Sequence, residues 1–261
     1  MMTCREIIAL LQEQSPERFA CEWDNVGLLV GDFAQEVSKI YIALDATEEG
    51  IDEAIAEKAD LLLTHHPLIF KGLKRINTED FTGRRVLKLV ENHISCYAMH
   101  TNFDVKGMAE LAAASMGLSE CAILDVTCQG EAGFEGIGRV GMLPAEITLE
   151  QCITQVKQAF AVDTVKVFGD LKQLVRKAAI CPGSGKSVIS SALCAGADVL
   201  ITGDIDHHEG IDAAAQGLAI VDAGHYGVEK LFIPYMVQYL RERTEGIEIV
   251  GQPVKQPFCY I

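Results

Sequence analysis

The 261-residue chain contains nine cysteines but no CxxC pair. An odd number of irregularly spaced thiols argues against a disulfide framework and a cysteine-based zinc knuckle; most should be small, reduced core residues. Basic residues are scarce: 22 Lys and Arg against 37 Asp and Glu leave a formal charge of −15. A field of that sign repels a phosphate backbone and disfavours nucleic acid as a partner of the bulk surface. No apolar run approaches the roughly 20 residues that span a bilayer. Ser/Pro-rich linkers and Ser-His-Asp or Cys-His nucleophile sets are also missing. Two phosphate-binding motifs fail. In CPGSGKS, Ile180 stands where a P-loop needs its first glycine, leaving a tight turn or an anion-holding helix start. GIGRVG (136–141) lacks the right context for a dinucleotide fingerprint.

What is present is a large apolar fraction, 49%, with mean hydropathy +0.19, enough for a sizeable core. The opening MMTCREIIALLQEQ interrupts its apolar pattern with Arg5, Glu6 and Glu13. It reads as an amphipathic helix, not a signal peptide, and the expected location is cytoplasmic. Short apolar runs alternate with longer helical patterns, which predicts an α/β fold of βαβ units and mainly parallel sheets. The clearest strands are 39–44, 61–64, 94–99, 175–181, 199–202 and 218–221. An internal repeat at an offset of 138 pairs KIYIALD (39–45) with KAAICPG (177–183) and ADLLLTHH (59–66) with ADVLITGD (197–204). Two related lobes follow from it. The expected division is 1–117 for the first lobe, 118–135 as a connecting segment and 136–261 for the second, with the C-terminal tail packing back on the first. Thr148 and Gln151 have capping-box spacing at a helix start.

In open α/β sheets, ligands bind beyond the carboxyl ends of the strands. His65 and His66 follow the strand at 61–64, and they are either a satisfied surface or loop pair or ligands, since neutral imidazoles there suit zinc, iron, manganese or nickel. The strand at 94–99 runs into His100 and Asp104. Asp104 is a hard ligand or a helix cap, and His100 is a third ligand or a group that orients one. The strand at 218–221 leads to His225 and Glu229, which share one face of a helix start. They are a ligand pair or a glutamate favoured by the helix dipole. Three strand ends in two lobes carry these donors. Five ligands exceed a simple zinc site and suit two ions sharing a carboxylate. Lys71, Lys74 and Arg75 form a basic cluster that could bind an anionic substrate or be ordinary solvated surface. His208, in TGDIDHHEG, is a substrate-facing candidate or a plain loop residue, as are its neighbours His207 and Asp204.

Several of these motifs occur together, in order, over nearly the whole chain: WDNVGLLVGD (23–32), LLTHHPLIFKGLK (62–74), HTNFD (100–104), GIGRVG (136–141), TGDIDHHEG (202–210) and DAGHYGVEK (222–230). The chain thereby resembles the NIF-three-like family of dinuclear-metal hexameric proteins, the type 2 GTP cyclohydrolase I homologues. The resemblance implies a toroidal homohexamer and two divalent ions per chain, of zinc, iron, manganese, cobalt or nickel. It also implies the ligands His65, His66, Asp104, His225 and Glu229, with Glu229 as the bridge. About 50 residues separate the lobes, so the domain that some members insert there is absent. The expected function is a metal-dependent hydrolase acting on a small anionic or nucleotide-like substrate, with His100 or His208 shuttling protons. The alternative is a non-catalytic metal-binding scaffold or interaction protein, since no general base is evident outside the metal shell.

Overall fold

The computed structural model describes residues 2–130 and 133–259. The chain divides into two compact units: residues up to Phe103 with Phe232–Lys255, and Asp104–Leu231 with the residues from Gln256 onward.

The first unit opens with β1 (Met2–Thr3) and the helix Cys4–Gln14, whose start is fixed by a capping box between Thr3 and Glu6. Cys4, Ile7, Ile8 and Leu11 form its buried stripe, at the spacing a helix needs. β2 (Gly27–Val30), β3 (Glu36–Val37), β4 (Lys39–Ala43), β5 (Leu61–Thr64) and β6 (Ser95–Ala98) follow, and β13 (Glu248–Gly251) is the last strand of the chain. β1 and β3 form a small antiparallel ribbon. The main sheet has the order β13-β4-β5-β6-β2, parallel throughout except for the β2 edge. β5 and β6 are buried at every residue, as expected of strands covered on both faces.

In the second unit, β7 (Ser119–Gly130), β8 (Gly133–Thr148), β9 (Lys166–Phe168), β10 (Leu174–Ser184), β11 (Val199–Gly203) and β12 (Ala219–Asp222) form a sheet of order β7-β8-β10-β11-β12-β9. Its centre, β10-β11-β12, is parallel; β7, β8 and β9 join antiparallel. The helix Leu149–Ala159 carries the Thr148–Gln151 capping box.

The division differs from the expected one. The boundary falls at Phe103/Asp104, not at 117, and 118–135 is not a connector, because Ser119–Gly130 is the edge strand β7. Most of β7 is exposed and only Leu124 is fully buried, so it lacks the apolar run by which covered strands are recognised. Phe232–Lys255, expected in the second lobe with its tail packing back on the first, belongs as a whole to the first unit, where β13 pairs with β4.

The repeat has a structural cause. Asp60 accepts hydrogen bonds from the backbone N–H groups of Ser38 and Lys39 at 2.7 and 3.0 Å. Asp198, 138 residues on, accepts from those of Arg176 and Lys177, both at 2.8 Å. In each unit the aspartate just before the second parallel strand anchors the start of the first. Lys39 O and Lys177 O accept in turn from the N–H groups of Asp60 and Asp198. Among the described residues, no helix is long and apolar enough to cross a membrane.

Candidate metal centre

The register of the first sheet sets the donors in a layer. Ala43, Thr64 and Ala98 are aligned across β4, β5 and β6, so two residues further on stand Asp45, His66 and His100. Backbone bonds from His66 N to Leu44 O and from Met99 N to Thr64 O, both 2.9 Å, carry the alignment past the strand ends. His65, His66 and His100 each offer a donor nitrogen, and these atoms lie within 4.8 Å of one another.

All three rings are oriented through Nδ1. His65 Nδ1 lies 2.7 Å from Met99 O, His66 Nδ1 2.8 Å from Asp45 Oδ1, and His100 Nδ1 2.9 Å from Asp24 Oδ1. A neutral imidazole that donates from Nδ1 has its lone pair on Nε2, the tautomer that metal-bound histidines commonly present. His65 is fully buried, its ring against Phe103 and Phe232 at 6.2 and 5.4 Å between centroids. Asp24 anchors the His100 side. Burial alone would raise its pKa, but hydrogen bonds from His100 and Thr101 overcome that and bring it down to about 2.

The second unit carries its own donors. Asp104 opens a wide π-helical turn, Asp104–Met108, of a kind that recurs at functional sites. Glu229 is buried, and its Oε2 lies 2.9 Å from His225 Nε2 across one helical turn. His225 Nδ1 lies 2.8 Å from Asp204 Oδ2, so this ring too is held by an oxygen acceptor. Asp204 adopts φ 53°, a left-handed conformation that aspartate tolerates better than most residues. Asp104 Oδ1 and Glu229 Oε2 are shut off from solvent. Burial first, then the charges of Asp104 and Glu229, push the Cys181 thiol upward, which marks a local excess of negative charge.

Gly183 makes room for this carboxylate. Its φ is +74°, and a Cβ there would lie 2.5 Å from Glu229 Oε1. The CPGSGKS turn is therefore no anion site: Gly183 abuts a carboxylate, and Lys186 pairs with Asp206 and Glu209 at 3.3 and 3.2 Å. GIGRVG is structural as well. The buried Arg139 donates to the carbonyls of Gly136, Gly138 and Val105 and pairs with Glu110.

Of the substrate candidates, Lys71, Lys74 and Arg75 are exposed on the loop between β5 and the helix Phe81–Glu91, and none makes an ion pair among the described residues. His208 is exposed, with its ring 5.2 Å from that of His207. It joins none of the donor groups found among the described residues. Asp24, Asp45 and Gly183 escaped the sequence reading. Asp45 ends the KIYIALD strand in the same register as His66 and was detectable by aligning strand ends. Asp24 and Gly183 are brought in by long-range folding and leave no local signal.

This is an α/β protein of two units, each with residues that fit a divalent metal: oriented imidazole nitrogens beyond the strand ends of the first, and His225 with the carboxylates of Asp104 and Glu229 in the second. The profile of the Duf34/NIF3 family (NGG1p interacting factor 3) matches residues 2–257, and the chain belongs to that family. It is 37% identical over 265 residues, covering all of both chains, to a "GTP cyclohydrolase 1 type 2 homolog" of Clostridium perfringens. To a protein of the same description from Streptococcus pneumoniae it is 32% identical over 272 residues, again with full coverage of both. A Bacillus cereus protein related to NIF3 has the same fold, with a TM-score of 0.93 at 28% identity over 100% of this chain and 99% of that one.

Proposed function

We propose that the protein is a metal-dependent hydrolase with two divalent ions per chain, held by His65, His66, Asp104, His225 and Glu229, with Glu229 as the shared carboxylate. The observation that carries this reading is the cluster His65, His66 and His100, in which every Nδ1 faces an oxygen acceptor and the donor nitrogens lie within 4.8 Å. Bound ions would supply Lewis acidity, making water acidic and polarising a carbonyl or phosphoryl oxygen. His100 keeps one proton on Nδ1 against Asp24, which stays ionised through the physiological range, and takes up or releases a second at Nε2. His208 is the competing candidate for that role. Lys71, Lys74 and Arg75 offer positive charge to an anionic substrate on a chain of net charge −15.

The test begins with elemental analysis of protein purified without chelator, where about two ions per chain are expected and Glu229→Ala should lose most of both. Protein reconstituted with manganese, iron, cobalt or zinc is then offered GTP, other nucleotides and phosphoesters. His66→Ala and Asp104→Ala should each lower turnover about a hundredfold. His100→Gln should keep the metal and lose rate, which separates a proton shuttle from a third ligand. Absence of turnover with every metal would leave a metal-binding scaffold.

A further inference from the structure

The chain has one tryptophan, Trp23, and it is 61% exposed. Phe70 is 50% exposed. Their ring centroids are 5.8 Å apart with a 42° angle between planes, so the two rings do not lie face to face. Both stand beside His100, at 5.9 and 6.0 Å between centroids.

Neither ring sits on a loose loop. Asp24, next to Trp23, accepts from the backbone N–H of Thr101 at 3.0 Å and takes His100 Nδ1 at 2.9 Å. Asn25 donates through Nδ2 to the carbonyl of Ile69, next to Phe70, at 2.5 Å. The loops that carry the two rings are thus tied together and to the strand end that carries His100. Exposed aromatic rings held in this way have already met the ordering cost that a ligand would otherwise impose. Directly after Phe70 come Lys71, Lys74 and Arg75, exposed and without ion pairs among the described residues. An aromatic wedge followed by positive charge, beside imidazole donors, fits a ligand that is both planar and anionic.

We propose that Trp23 and Phe70 form a stacking platform that receives the heteroaromatic ring of a nucleotide beside His100. The proposal deepens the reading above, since it names the substrate class of the same site. Every nucleobase has a π face, so the platform confers affinity for the class, not for one base. A covering apolar surface of another protein would not use the adjacent lysines.

Because Trp23 is the one tryptophan, its emission reports on the platform directly. GMP added to the metal-loaded protein should quench it saturably; ribose 5-phosphate, which has the phosphate but no base, should not. Phe70→Ala should weaken GMP binding roughly fivefold to a hundredfold, the range of one lost stacking contact, while Phe70→Tyr should stay within about twofold of the parent. Both substitutions should leave metal content unchanged, and calorimetry provides a second measure of binding. The proposal falls if fully metallated protein shows no response to GMP, guanosine or AMP. It also falls if ribose 5-phosphate competes as well as GMP, or if acrylamide cannot reach Trp23 because another chain covers it. Metal-loaded protein that binds GMP through Phe70 but turns over no nucleotide with any metal would remove the hydrolase reading and leave the platform standing.

Discussion

Adding one methyl group at Gly183 tests the architecture of the proposed metal centre. Alanine at φ +74° pays the left-handed penalty of about 1–2 kcal/mol. Its Cβ would also sit 2.5 Å from Glu229 Oε1, a separation real Cβ atoms do not reach, so either the strand end or the carboxylate has to move. Overpacking of this kind costs about 1–3 kcal/mol, giving a total of about 2–5 kcal/mol for Gly183→Ala. The specific part of the expectation is that Glu229 shifts and metal affinity falls together with stability. Gly210→Ala is the control. Its Cβ would collide with the Phe168 ring at 2.4 Å, and Phe168 is not a donor of the proposed set, so it should cost stability while metal content per folded chain holds. Urea unfolding gives the free energies, and elemental analysis of the folded fraction gives the metal. A Gly183→Ala protein within about 0.5 kcal/mol of the parent and carrying its full metal complement would refute the placement of Glu229 against this turn.

Three further outcomes follow. Asp24 falls from an ordinary 3.8 to about 2 on folding, so its ionised form contributes about 2 kcal/mol that is fully present above about pH 4 and lost as pH falls through about 2; Asp24→Asn should therefore be destabilised at pH 7 and approach the parent in acid, whereas a gap independent of pH would show that the carboxylate charge is not the cause. Asp60→Ala and Asp198→Ala should each cost about 1–3 kcal/mol in urea unfolding, because each leaves two strand-start N–H groups without their acceptor; a large effect at one site only would break their equivalence. Light scattering should give about six times the 28.4 kDa chain mass if the chain forms the hexamer expected from its sequence resemblance, and a monomer at micromolar concentration would contradict that expectation.

The parallel strands were legible in the sequence because burial on both faces demands unbroken apolar runs. The expected strand 61–64 matches β5, and 39–44 overruns β4 by one residue. The donors were legible because His65, His66 and His100 follow such runs directly. What the sequence did not reveal is held by other forces. β7 is an edge strand defined by hydrogen bonds to β8, with little apolar burial to pattern its residues. Asp24 reaches His100 across 76 residues, a separation at which no local periodicity exists. The boundary at Phe103/Asp104 falls inside a helical run, where no linker composition marks it.

The paired anchors at Asp60 and Asp198 bear on how such a chain can diversify. Each fixes the start of its sheet's first parallel strand, at the end opposite the exit loops. Their exit loops have diverged: at the offset of 138, Asp45, His65 and His66 correspond to Gly183, Gly203 and Asp204. One copy of the frame presents imidazoles, and the other presents glycine and acid. Duplication followed by specialisation would produce this outcome, with the anchored ends preserving the fold while the opposite ends were free to acquire different chemistry.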